Sequence, residues 1–94
     1  GSSKMNIFIL KSMRYLDNPE LFTRDEMREN ASDADAAIGA DVDYDAADTA
    51  ADVAADAFHD DEYATAYADY GLDKYFRITG EDRQTYINEV ERLR

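Results

Sequence analysis

Between residues 41 and 62 the stretch DVDYDAADTAADVAADAFHDDE holds nine carboxylates and no Lys or Arg. They are Asp41, Asp43, Asp45, Asp48, Asp52, Asp56, Asp60, Asp61 and Glu62. Carboxylates so crowded can cage a hard cation, move protons, or present fixed negative charge to a cationic surface. The cage is the most specific of the three. Asp41, Asp43, Asp45 and Asp52 stand at positions one, three, five and twelve of an EF-hand-like loop. Calcium needs that loop bent around a glycine at position six and closed by a bidentate glutamate at twelve. This chain has Ala46 and Asp52 there, and Asp48 at position eight, which is ordinarily apolar. The glycine is missing and the segment should run on as helix, so no metal ligands and no cofactor are assigned.

Proton chemistry fares no better. His59 is the single histidine, and one imidazole without a second histidine or any cysteine makes a poor transition-metal site. A general base also needs a nucleophile or a substrate pocket. Adjacent acids such as Asp60 and Asp61 could in principle cleave glycosides, but 94 residues leave little room for a cleft. No glycine-rich phosphate loop or nucleophile elbow is present. The expectation is a non-enzyme with no catalytic residue.

Fixed charge remains, and its distribution favours it. The net charge is −12, yet residues 1–28 and 74–94 each hold four acids and five bases, while residues 29–73 hold 14 acids and no Lys or Arg. Charge selected for general solubility would be spread along the chain; here it belongs to one segment, as a partner surface would. Asp41, Asp45, Asp48, Asp52, Asp56 and Asp60 recur at steps of three and four, which draws one drifting stripe along a helix. If residues 41–62 form a single helix they span ~33 Å, one charge per ~3.7 Å, close to the ~3.4 Å between phosphates of one DNA strand. Of the 14 acids only Glu29 and Glu62 are Glu. Glu is the better mid-helix residue. Aspartate instead mounts its carboxylate on a short, stiff stem, which suits a geometric role.

The elements that must carry the stripe read as all-α. An amphipathic helix is expected over about 6–16, with NIFIL as an alternative buried strand. Asn18-Pro19 starts a short turn. Thr23-Arg-Asp-Glu26 is a capping box that opens a helix over 24–38, stopped by Gly39. From Asp41 or Asp43 to about Tyr70 nothing breaks an Ala/Asp-rich helix, with Ala47, Ala51, Ala54 and Phe58 as a lean seam. Gly71 interrupts, a short helix follows to Gly80, and a last helix carries Tyr86, Ile87, Val90 and Leu93 on one face. The result is a small bundle of four or five helices in one domain, residues 5–94, with GSSK at 1–4 reading as a tag remnant. The large apolar residues near the two ends should pack together and hold the acidic helix outward. Tyr63, Tyr67 and Tyr70, at i, i+4 and i+7, are expected in the core; the alternative is that they stand exposed beside the carboxylates as anchors for a partner interface.

DAADTAADVAADAF and its charge geometry resemble the small, acidic, phage-encoded DNA mimics that disable host restriction or CRISPR surveillance complexes. LDKYFRITGEDRQTYINEV is similar to the tails of small Ala-rich phage proteins. The resemblance implies an anti-CRISPR or anti-restriction inhibitor acting by protein–protein interaction in the host cytoplasm. It would block the groove of a basic nucleic-acid-binding protein and bind neither nucleic acid nor membrane itself. The nine acids would be the partner-binding residues, and a homodimer through the Ala/Tyr seam is a further expectation. An acidic helical adaptor or oligomerisation module for a basic protein is the alternative; a calcium-responsive helical module comes third.

Overall fold

The computed structural model describes residues 5–40, 43–59 and 61–94. Local capping explains where its helices begin. The Asn6 side chain accepts from the free amides of Phe8 and Ile9, so MNIFIL enters α1 (Ile7–Asp17) as helix, not strand. Asn18 then accepts from Glu20 N–H and, with Pro19 at the first position, forms the 3₁₀ turn Pro19–Leu21. Thr23 and Glu26 satisfy each other's backbone amides at 3.1 and 2.9 Å, completing the capping box of α2 (Arg24–Ala37). Gly39 does not stop this helix with a left-handed residue; the chain tightens through the 3₁₀ turn Ile38–Ala40.

The uninterrupted helix expected from about Asp41 to Tyr70 is two helices, α3 (Tyr44–His59) and α4 (Glu62–Thr79). Asp61 makes the break: its backbone is extended and its carboxylate accepts from Ala64 N–H at 2.7 Å. Aspartate competes well for such caps. Gly71, in turn, interrupts nothing. It lies inside α4, where a Cβ would come within 2.8 Å of Val53 Cγ2, so glycine marks the place where α3 and α4 touch. The short helix expected before Gly80 is the last part of α4. Gly80, at φ 71°, supplies the left-handed cap, and Asp82 opens α5 (Arg83–Arg92).

The expected arrangement of ends inside and acidic helix outside is inverted. α3 is the central element, packed against α1, α2 and α4, with α5 against α1. Alanines 46, 47, 50, 51, 54 and 57, with Thr49 and Val53, bury more than half of its circumference. One cluster joins Ile9, Val53, Leu72, Tyr75 and Tyr86 across four helices; Ala34, Ala51 and Ala54 form another between α2 and α3. The alanines of the seam, Ala47, Ala51 and Ala54, are thus buried inside the chain. Ile7 and Ile78, expected in the core, are exposed.

Among the described residues, Arg14 Nε is buried without a hydrogen-bond partner; the other buried polar side chains are satisfied. Buried Ser12 donates to Phe8 C=O at 2.7 Å, and Asn30 Nδ2 reaches both the Ser12 hydroxyl and the same carbonyl at 3.4 Å. At the other end Glu81 accepts from Tyr75 at 2.8 Å and from Tyr86, whose hydroxyl oxygen accepts from Asn6 N–H at 2.7 Å. Burial, reinforced by Glu81, drives both phenols upward in pKa, Tyr86 to about 12. No helix among the described residues is long and apolar enough to cross a membrane.

Candidate functional site

Helical rotation of ~100° per residue decides where the aspartates of α3 point. The buried residues, from Thr49 round to Ala51, occupy an arc of ~200°, and Asp45, Asp48, Asp52 and Asp56 fall within ~80° on what is left. Asp45 and Asp52 are exposed, Asp48 and Asp56 half-buried. These four form a true stripe, held by a helix fixed on three sides. Among the described residues, no ion pair within 4.0 Å reaches any of them. Partial burial first, then repulsion from Asp48, raises the pKa of Asp52, with Lys74 pulling the other way. Asp56 is raised likewise by burial and by Asp52, against His59.

The other acids of the predicted set divide. Asp43 accepts from Ala46 N–H at 3.1 Å and so caps α3, as Asp61 caps α4; both spend their carboxylates on the fold. Glu62 is exposed in the first turn of α4. Asp41 and Asp60 lie outside the described residues. The contiguous stripe therefore runs from Asp45 to Asp56, ~18 Å of helix, with one charge per ~4.5 Å, sparser than the ~3.4 Å of a DNA strand. The 33 Å rod was too long because the chain turns between α3 and α4. As the missing glycine led one to expect, residues 44–52 run on as helix, so Asp45 and Asp52 cannot bend around one ion with Asp43.

Elsewhere the acids have partners or extend the field. Arg83 reaches Asp69 at 3.4 Å and also pairs with Asp73, offsetting one of the two charges on that side of α4. Glu29, Asp33 and Asp35 on α2 are exposed and, among the described residues, form no ion pair within 4.0 Å.

Tyr63, Tyr67 and Tyr70, expected in the core, are 77, 65 and 69% exposed. The inner face of α4 is taken by Ala64, Ala68, Leu72 and Tyr75, because small residues let it approach α3 closely. Between the two helices runs an open groove of about 220 Å³, with Asp52 and Asp56 on one wall and Tyr67, Tyr70 and Lys74 on the other. Tyr44, also exposed, stands at the start of α3. Lys74 is the groove residue that sequence reasoning missed, and the tyrosines follow the alternative reading, exposed beside the carboxylates. The signal available was the second apolar row of α4, Ala64-Ala68-Leu72, which competes for the inside. No family model, curated protein or solved structure matches this chain.

Proposed function

We propose that the protein is a non-enzymatic inhibitor whose α3 stripe stands in for nucleic-acid phosphates and blocks the basic groove of a nucleic-acid-binding protein, of the restriction or CRISPR defence type. The observation that carries this is the row Asp45, Asp48, Asp52 and Asp56: four carboxylates, two exposed and two half-buried, on one strip of the most tightly held helix, with no ion-pair partner within 4.0 Å among the described residues. Free, rigidly mounted carboxylates match what Lys and Arg in a phosphate-binding groove are built to meet. Helix α3 would itself be stabler without them, since like charges at i, i+4 repel. Asp43 and Asp61, which cap helices, are taken out of the partner-binding set. The inhibitor would act inside the cell that houses its target.

The test is affinity capture from a bacterial lysate with the native chain and with Asp45, Asp48, Asp52 and Asp56 all changed to Asn. A nucleic-acid-binding protein should be retained by the first and lost by the second. The captured protein's own DNA or RNA should displace the inhibitor, and affinity should fall by orders of magnitude between ~50 and ~200 mM salt. Equal capture by both chains, or affinity indifferent to salt, would refute phosphate mimicry and favour an adaptor that docks elsewhere.

A further inference from the structure

Three of the chain's four phenylalanines already carry a cation of their own. Lys11 and Arg14 lie 5.1 and 5.0 Å from the Phe22 ring centre, Arg24 lies 4.6 Å from that of Phe58, and Arg83 lies 5.6 Å from that of Phe76. Among the described residues, Tyr63, Tyr67 and Tyr70 have neither cation nor ring against them. They form, among the described residues, an uncovered aromatic face, and Tyr67 and Tyr70 share a groove with Asp52 and Asp56 of the stripe.

We infer that this unpartnered face of α4 docks arginine side chains of the basic partner, each guanidinium lying flat on Tyr67 or Tyr70 while its edge meets Asp52 or Asp56 across the groove. The inference rests on phosphate mimicry and adds which cation the site selects. Charge complementarity fixes the sign of the occupant. A second copy would bring like stripes together, and a nucleic acid would be repelled. A groove of about 220 Å³ is smaller than the ~300–1,000 Å³ that drug-sized ligands occupy; it admits side chains. The rings choose between the cations. Guanidinium is planar, weakly hydrated, able to stack on an aromatic and to bind a carboxylate with two parallel hydrogen bonds. Ammonium offers only a strongly hydrated point charge, and Lys74 already lines the groove with one.

The experiment measures binding of fluorescent nona-arginine and nona-lysine peptides, equal in charge, at ~50 mM salt. Arginine should bind about tenfold tighter, as two exposed cation–π contacts imply. Tyr67→Leu with Tyr70→Leu should bring arginine down to the lysine level and leave lysine unchanged. Tyr67→Phe with Tyr70→Phe, which keeps the rings, should restore the preference. Both tyrosines are exposed, so these variants should keep their helical circular dichroism. Equal binding of the two peptides by the native chain overturns arginine selection while leaving phosphate mimicry standing. Binding of neither peptide brings down both. An arginine preference that survives the leucine variants, a labelled DNA strand binding as well as nona-arginine, or a native dimer that the leucine variants dissociate each overturn the inference as well.

Discussion

Adding a single methyl group at Gly71 tests whether α3 and α4 are in contact or merely adjacent. On an isolated helix Gly→Ala stabilises by ~0.8–1 kcal/mol. Here the new Cβ would meet Val53 Cγ2 at 2.8 Å, and Val53 is fully buried, with 0% exposure. Overpacking of this kind costs ~1–3 kcal/mol, so Gly71→Ala should be net destabilising by ~1 kcal/mol, a loss of ~4–8 °C in Tm for a domain this size. Val53→Ala removes the two methyl groups at the contact. Losing them costs ~2–3 kcal/mol from transfer and cavity together. In that background the Gly71 methyl enters vacated space, and the same substitution should stabilise by ~1 kcal/mol. The sign reverses, with a coupling of ~2 kcal/mol, well beyond the ~0.3–0.5 kcal/mol error of additivity. Urea denaturation of the four chains, followed by far-ultraviolet circular dichroism, measures it. Should Gly71→Ala stabilise the native chain, or the coupling fall within that error, the close approach is refuted, and with it the central placement of α3.

Changing Asp45, Asp48, Asp52 and Asp56 to Asn removes three like-charge neighbours and should raise stability by ~1 kcal/mol at pH 7 in thermal unfolding; a large loss would mean the stripe holds the fold together. The folded-state pKa values of Asp52 and Asp56 stand above their unfolded values, so ionisation opposes folding. The Asn advantage should therefore be largest near neutrality and fade as pH falls through the upper carboxylate range, vanishing by about pH 3. Asp17, Glu26 and Glu89 are held low by hydrogen bonds, so their stabilisation is lost only as pH falls further, which places the native optimum in mild acid. Glu81→Ala removes the acceptor of the Tyr75 and Tyr86 O–H groups, leaving Tyr86 the bond it accepts from Asn6 N–H, and should cost ~2–4 kcal/mol in urea denaturation; a cost under ~1 kcal/mol would mean water replaces the carboxylate.

Much of the all-α bundle is legible because its starts are local events. Asn18 and Thr23, both read as caps from sequence, accept from amides two or three residues ahead, chemistry written in adjacent letters; Asn6 and Asp82, which sequence reading does not single out, cap in the same way. The four-residue aspartate stripe is legible for the same reason, being a matter of helical period. What failed is tertiary. An Ala/Asp stretch is compatible with one helix or two, and only the cap at Asp61 decides. Gly71 reads as a breaker until Val53 is known to lie against it. The tyrosines at 63, 67 and 70 look like core by hydrophobicity. They are outside because Ala64 and Ala68 let α4 come closer to α3 than a tyrosine would, and the closest packing wins the inner face. The misjudged scaffold follows from the same error: counting large side chains at the two ends overlooked how many contacts a central alanine helix makes.

The position of the charge then acquires a reason. A peripheral helix could carry four aspartates more cheaply in electrostatic terms, with room to splay them apart. It would also let them move, and each side chain ordered on binding costs ~0.5–1.5 kcal/mol. Alanines on three sides of α3 bury little area per residue, yet they bring α1, α2 and α4 close enough to immobilise its backbone. Aspartate adds only two side-chain torsions beyond that fixed backbone, where glutamate would add three. Thin packing and stiff charge are thus two consequences of one choice of residues. The preorganisation has a measurable signature. Replacing Asp48 and Asp52 by Glu keeps every charge and should raise helix propensity, yet it should weaken partner binding, mainly through faster dissociation. If the Glu chain binds its captured partner as tightly as the Asp chain, total charge is sufficient and the rigid mounting of the stripe has no role in recognition.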